Sequence, residues 1–288
     1  MRRRFFHIWS VMLVLCAQVG HADVLTDQAE TLTRINLVGQ QRLLAVEISM
    51  SACMVMTGVD VEANAALVKT SADMFERFSV ALQAGDPDLA LPPETHPEIL
   101  ANYTAVDHSW RTFSAASRQI AWGDIQSVTV RQVLALGPVI VRDIQTAAEL
   151  VETVYREKLV TKKEMTRTID IAARQGMLAM LLGQQFCFAA LDINRAAMQD
   201  DLRTTMELFA VSMDAMASGD YDMGIIDPPS LAALGTLQDM NDLWENAVPV
   251  LDIALADPDN ARDVLQDLEP ITLSLLDLSQ KMLKIYLN

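Results

Sequence analysis

Turn-forming residues are scarce in this chain. Glycine (11) and proline (10) together fall well below the share of roughly 12% in an average chain of such length, and aromatics reach only 6% of 288 residues. Sandwiches and barrels need frequent turns and strand-forming aromatics, so an all-β fold is excluded. Basic residues are outnumbered as well, 22 against 38 acidic, which gives a net charge of −16. Such a balance disfavours nucleic acid and anionic lipid surfaces as partners. Histidine (4) and cysteine (3) are too few for the usual metal frameworks. The enzyme signatures are missing too: no G-x-S-x-G elbow, no phosphate-binding loop, no dinucleotide-binding glycine pattern and no H-E-x-x-H. What remains is a chain that is 51% hydrophobic and dominated by alanine, leucine and methionine. That composition describes helices with a core.

The first residues stand apart. Arg2, Arg3 and Arg4 precede an apolar run from Phe5 to Val19, and Gly20-His21-Ala22 places small residues at −3 and −1 of a cleavage point before Asp23. The apolar run is about 15 residues, short of the roughly 20 that a spanning helix needs. Residues 1–22 are therefore expected to be a signal peptide, with the remaining chain periplasmic or secreted. Cleavage removes Cys16 and leaves Cys53 and Cys187, and only His96 and His108 among the histidines. An oxidising compartment permits a bridge. Both cysteines nevertheless lie in apolar helical stretches, where a free cysteine serves as a small core hydrophobe, so two buried thiols are expected.

The chain then repeats itself. A shift of 134 positions superposes Ile35 on Ile169, Gln41 on Gln175, Leu44 on Leu178, Cys53 on Cys187, Phe75 on Phe209, Gly85-Asp86 on Gly219-Asp220 and Trp110 on Trp244. Pro92-Pro93 and Pro228-Pro229 correspond with a two-residue slip. Two copies of one domain follow, at 23–159 and 160–288. In the first, apolar residues recur at helical spacing over about 27–57, 61–84, a third segment carrying Trp110 that ends before Gly123, and 125–159 with a kink at Gly137-Pro138. The second opens on a capping box, Thr161 to Glu164. The expectation is an all-α fold of two tandem antiparallel four-helix bundles, two rods joined through a helix at 160.

Local clusters give little chemistry. Met50, Cys53, Met54 and Met56 suggest a soft-metal site, but the second copy has Gln184, Cys187, Phe188 and Ala190 there, and core packing is the better reading. Asp220, Asp222 and Asp227 lack the ordered spacing of a calcium loop and read as turn residues. His96, beside Pro97, reads as a plain surface residue. No cofactor is expected.

One stretch carries more. Asn36-Leu37-Val38-Gly39-Gln40-Gln41-Arg42-Leu43-Leu44 opens a helix and returns in weaker form as Asp170-Ile171-Ala172-Ala173-Arg174-Gln175-Gly176-Met177-Leu178. The pattern resembles the PilJ/NarX-type periplasmic sensor domain, found in type IV pilus chemoreceptors and in nitrate/nitrite sensor kinases, and Phe75, Leu82, Gly85 and Trp110 are also similar to it. The resemblance implies a non-enzymatic sensor or ligand-binding module that works with a membrane receptor or kinase, and a small anion such as nitrate or nitrite as ligand. It also implies a homodimer in which the motif's arginine meets its mate. That role falls on Arg42, with Arg34, Gln41 and Asn36 as its candidate companions. A planar guanidinium with several donors suits a flat oxyanion. Gly176 occupies the equivalent place in the second copy, and Arg174 lies about 200° around the helix from it, so that copy is expected to bind nothing and act as scaffold. The alternative is a structural adaptor of the cell envelope with no small-molecule ligand.

Overall fold

A computed structural model describes residues 12–155, 163–256 and 261–287, with side chains from residue 28 onward. Residues 1–11 of the expected leader, Thr161 of the capping box and the expected continuous helix through 160 lie outside the described residues, while residues 12–22 open the first helix. Eight helices account for nearly all the described residues: α1 (Met12–Thr57), α2 (Val61–Ala84), α3 (Pro97–Ala121), α4 (Ser127–Tyr155), α5 (Lys163–Ala190), α6 (Arg195–Ser218), α7 (Leu231–Ala256) and α8 (Ala261–Leu287). They form two four-helix groups, α1–α4 and α5–α8. Among the described residues no helix is long and apolar enough to cross a membrane.

The helices bury apolar stripes. In α4 the buried positions are Thr129, Val133, Gly137, Ile140, Ile144, Ala147, Val151 and Tyr155, a three-to-four-residue spacing that keeps one face inward. The helix continues past Pro138 as a single element. Gly137 packs closely on α1: a Cβ there would lie 2.8 Å from Ser49 Oγ. In the first core Phe75 stacks on Trp110 at 3.6 Å between centroids, and in the second Phe209 meets Trp244 at 4.7 Å, the pairs that the repeat had superposed.

The repeat holds to the residue. Asp86 pairs with Leu91 in a short bridge, and Asp220 with Ile225, 134 positions on. Left-handed backbone occurs at Gly58 and Asp192, Asp60 and Asn194, Gly85 and Gly219, and Ala90 and Gly224, again at that interval. The two-residue slip expected at the prolines is absent: Ile226-Asp227, not Pro228-Pro229, occupy the place of Pro92-Pro93.

The expectation of two free thiols is wrong. Cys53 and Cys187 form a disulfide with a Cα–Cα distance of 6.2 Å, and neither residue is exposed. Helical context and burial were read correctly; what they could not give is that α1 and α5 lie against each other, so that the cysteines face across the seam. Val46, Met50 and Met54 of α1 and Met180, Phe186 and Phe188 of α5 share one core with Leu265 and Leu268 of α8. The two copies are therefore packed side by side through their first helices. Asn64 Nδ2 also donates to Glu269 Oε1 across the seam at 2.6 Å. In the chain-entropy view, closing a loop of more than 100 residues is worth about 4–5 kcal/mol.

Equivalent glutamines differ in satisfaction. Gln41 Nε2 donates to the Phe75 carbonyl at 3.4 Å and to Ser79 Oγ at 2.7 Å. Gln175 is fully buried, yet neither amide atom finds a partner, because Met213 stands where the first copy has Ser79. A buried unpaired amide costs about 1–3 kcal/mol. Gln175→Met should therefore raise stability by about 1 kcal/mol in urea denaturation, while Gln41→Met should lower it by a similar amount; the same sign for both would contradict this assignment.

Candidate oxyanion site at the junction of α1, α4 and α5

The four residues expected to surround the anion do not converge. Arg34 is 1% exposed and every guanidinium nitrogen is committed to partners on α1, α2 and the α2–α3 loop. Its Nε donates to Glu30 Oε1 at 3.1 Å, its Nη1 to Glu94 Oε2 at 3.1 Å and to the Leu82 carbonyl at 3.3 Å, and its Nη2 to the Pro92 carbonyl at 2.6 Å. The Tyr155 ring lies 5.4 Å from the guanidinium carbon, and the Tyr155 hydroxyl donates to Glu94 at 2.8 Å. Arg34 therefore ties α1, the loop and the end of α4 together, and does not serve as the second cation beside Arg42. In the second copy Thr168 takes its place and accepts from the Ile226 backbone N–H at 3.1 Å, a smaller version of the same anchor. Tyr155 is held neutral, its hydroxyl pushed up to about 12 by burial and by its bond to Glu94.

Gln41 faces α2, as described above. Asn36 is exposed and lines an open groove of about 440 Å³ with Leu32, Thr33, Gln40, Phe78 and Leu287. His96 is half-buried rather than a plain surface residue: it precedes α3, and its backbone N–H donates to Glu94 Oε1 at 2.8 Å. Asp220 and Asp227 are turn residues as expected, accepting from the Met223 N–H and the Tyr221 hydroxyl.

Arg42 is different from all of these. It is 5% exposed, and Nη1 donates to Gln145 Oε1 on α4. Gln145 is itself held by donating from Nε2 to Glu149 Oε1 at 2.7 Å. Arg42 Nε is buried with no partner, and Nη2 makes no hydrogen bond among the described residues. One edge of the guanidinium, the Nε–Nη2 pair that grips a planar oxyanion through two parallel bonds, is thus uncommitted. No carboxylate of the described residues lies within ion-pair distance of it. Its charged form is disfavoured, first by desolvation and next by the Arg174 guanidinium on α5; Asp170, Glu152 and Glu149 offset this in part. Arg174, about half-exposed, is held by Asp170 at 3.0 Å. Sequence reading discarded Arg174 because it lies on the wrong face to replace Arg42 within its own copy.

Both copies of the motif thus sit on helices that open four-helix groups and pack together along the seam. A comparison with protein-family models matches residues 24–136, and again 160–268, to the PilJ family, the N-terminal domain of type IV pili methyl-accepting chemotaxis transducers. The chain belongs to this family. It carries two tandem PilJ domains, the sensor module of chemotaxis transducers. A comparison with the curated proteins finds no match.

The PilJ domains differ where the motif arginine stands. Gly176 replaces it in the second, and a Cβ there would lie 2.9 Å from Leu276 Cδ1 and 3.4 Å from Ser279 Cβ. Where the first domain pairs Arg42 with Gln145, the second has Gly176 close to Leu276 and Ser279 of α8, so that a Cβ there requires Leu276 to shift. The two buried arginines of the first domain therefore have opposite energetics. Removing Arg34 strands the buried Glu94, whereas removing Arg42 relieves an unpaired buried charge. Arg34→Met should cost about 3–5 kcal/mol in chemical denaturation, and Arg42→Met should stay within about 1 kcal/mol of wild type. A severe loss for Arg42→Met would mark it as structural.

Proposed function

We propose that this protein is a non-enzymatic periplasmic sensor module that binds a small oxyanion, such as nitrate or nitrite, on the free edge of Arg42 and presents its liganded state to a membrane receptor or kinase. The observation that carries this reading is the uncommitted Nε–Nη2 edge of a nearly buried guanidinium. Evolution rarely leaves such a charge unpaired where a carboxylate would stabilise the fold, and strained or unpaired groups cluster at working sites. The location is supported by the signal-like first 22 residues and by a disulfide, which requires an oxidising compartment.

Burial excludes water from the bond and strengthens it. A planar guanidinium presents two coplanar donors at the spacing of two oxyanion oxygens, which a lysine cannot reproduce. Gln145 fixes the plane of the ring of donors by holding Nη1. Ligand binding would then draw α1 and α4 into one arrangement, since Arg42 and Gln145 belong to different helices.

A second reading, a structural adaptor of the envelope, is favoured by the charge around the site: Glu149, Glu152 and Asp170 stand near Arg42 in a chain of net charge −16. The two readings differ in one measurement. Anything that binds the native state alone raises the melting temperature, by about 2.7 kcal/mol of stabilisation at a hundredfold excess over Kd. A thermal-shift series with nitrate, nitrite and small organic acids, against chloride at equal ionic strength, should show a rise of several degrees with at least one of them, lost in Arg42→Ala. No rise with any of them would establish the adaptor reading.

A further inference from the structure

We propose that the groove between α7 and α8 of the second domain is a docking surface for a protein partner, and that its occupant is an amphipathic helix with lysine or arginine beside its apolar face. The inference stands apart from the anion reading of Arg42 and holds for a sensor and for an adaptor alike.

The groove follows from the helical periods of its two walls. Asp239, Asp242 and Leu243 of α7 lie at i, i+3 and i+4, and Leu273, Asp277 and Leu278 of α8 stand across an opening of about 630 Å³. The three leucines are half-buried, whereas the three aspartates are exposed. An apolar floor with an acidic rim results.

The aspartates have no task inside the fold. Among the described residues none of the three carboxylates is in an ion pair or a hydrogen bond, and Lys281, one turn beyond Asp277, is not within ion-pair distance of it. The whole of α7 carries Asp239, Asp242, Glu245 and Asp252 with no lysine or arginine. Like charges three or four residues apart oppose a helix, so this stripe is a cost to the domain that bears it. The first copy supplies an internal control. Its α3 has Ala105, His108 and Ser109 at the positions of Asp239, Asp242 and Leu243, and its own Glu98 and Asp107 are balanced by Arg111 and Arg118. A bundle on this frame therefore folds without the carboxylates.

The shape and the charge together select the occupant. A small molecule in a binding pocket has most of its surface enclosed, whereas this groove is open along both helices. A helix laid lengthwise in it sets apolar residues on Leu243, Leu273 and Leu278 at i, i+3, i+4 and i+7 spacing, and flanking cations beside the aspartates. Complementary charge of this kind fixes register and excludes acidic competitors, and the net charge of −16 steers a basic segment from a distance.

The test uses the full chain and a synthetic helix of leucine and lysine, LKKLLKLLKKLLKL, blocked at both ends and titrated by calorimetry at low salt. One peptide per chain is expected. D239N, D242N and D277N combined should weaken binding at least tenfold. D201N, E207Q and D214N combined, which remove equal charge from exposed positions of α6, should change it less than twofold. An analogue with alanine for leucine should bind at least fivefold more weakly. The groove variant should also melt no lower than wild type; a lower melting temperature would mark the aspartates as structural and overturn the proposal. Equal losses in the two triple variants would reduce the attraction to net charge, and equal affinity for the alanine analogue would remove the apolar floor; either result overturns it. So would no binding of the peptide, or spermidine bound as tightly and lost in the groove variant, which would make this a site for small cations.

Discussion

Everything distinctive about this molecule depends on the contact between α1 and α5. Each four-helix group could bury its own stripes, yet α1 carries apolar residues on more than one side. Leu37, Leu44 and Ile48 turn into the first domain, whereas Val46, Met50, Cys53 and Met54 turn toward α5. A helix with that much buried surface must be covered on both faces. The second domain supplies the cover, the disulfide makes it permanent, and a surface that would otherwise seek another chain is satisfied internally.

That arrangement frees the two copies to diverge. Their backbones have kept step to the residue, turn for turn, while their polar interiors have not. Thr168 stands where the first copy has Arg34, Met213 where it has Ser79 and Gly176 where it has Arg42, each on the same helical frame. The first domain keeps an ionic staple on its loop and a buried guanidinium with a free edge. The second keeps the packing and tolerates an orphaned amide at Gln175. In a symmetric dimer one substitution changes both halves at once; in a fused pair each half takes its own part.

Much of the architecture was legible in the residues. Helix bounds followed from spacing and from Gly58, Gly85, Gly123 and Gly219, since a left-handed backbone position ends a helix whatever packs on it. The duplication was legible because tryptophan, cysteine and Gly-Asp pairs are rare enough to betray one interval. The disulfide was not, for a physical reason: local pattern says that Cys53 is buried but not what it faces, and the seam is a contact between elements 134 residues apart. The site was half legible. Arg42 came from a motif, whereas Gln145 belongs to another helix and carries no local signal. The same 134-residue interval held one clue, because a cysteine repeated at equivalent positions is what an axis of symmetry needs in order to be bridged. Arg34 misled because helical spacing placed it on a plausible line with Arg42, while the long-range carboxylate Glu94 had already claimed it.

The seam is the central claim, and its most direct test is peptide mapping of the native protein, digested without reduction after free thiols are blocked. The account predicts a single linked pair of peptides containing Cys53 and Cys187, recovered from material that runs as a monomer under denaturing, non-reducing conditions. Both cysteines recovered as blocked thiols, or a bridge that joins two chains, would contradict it.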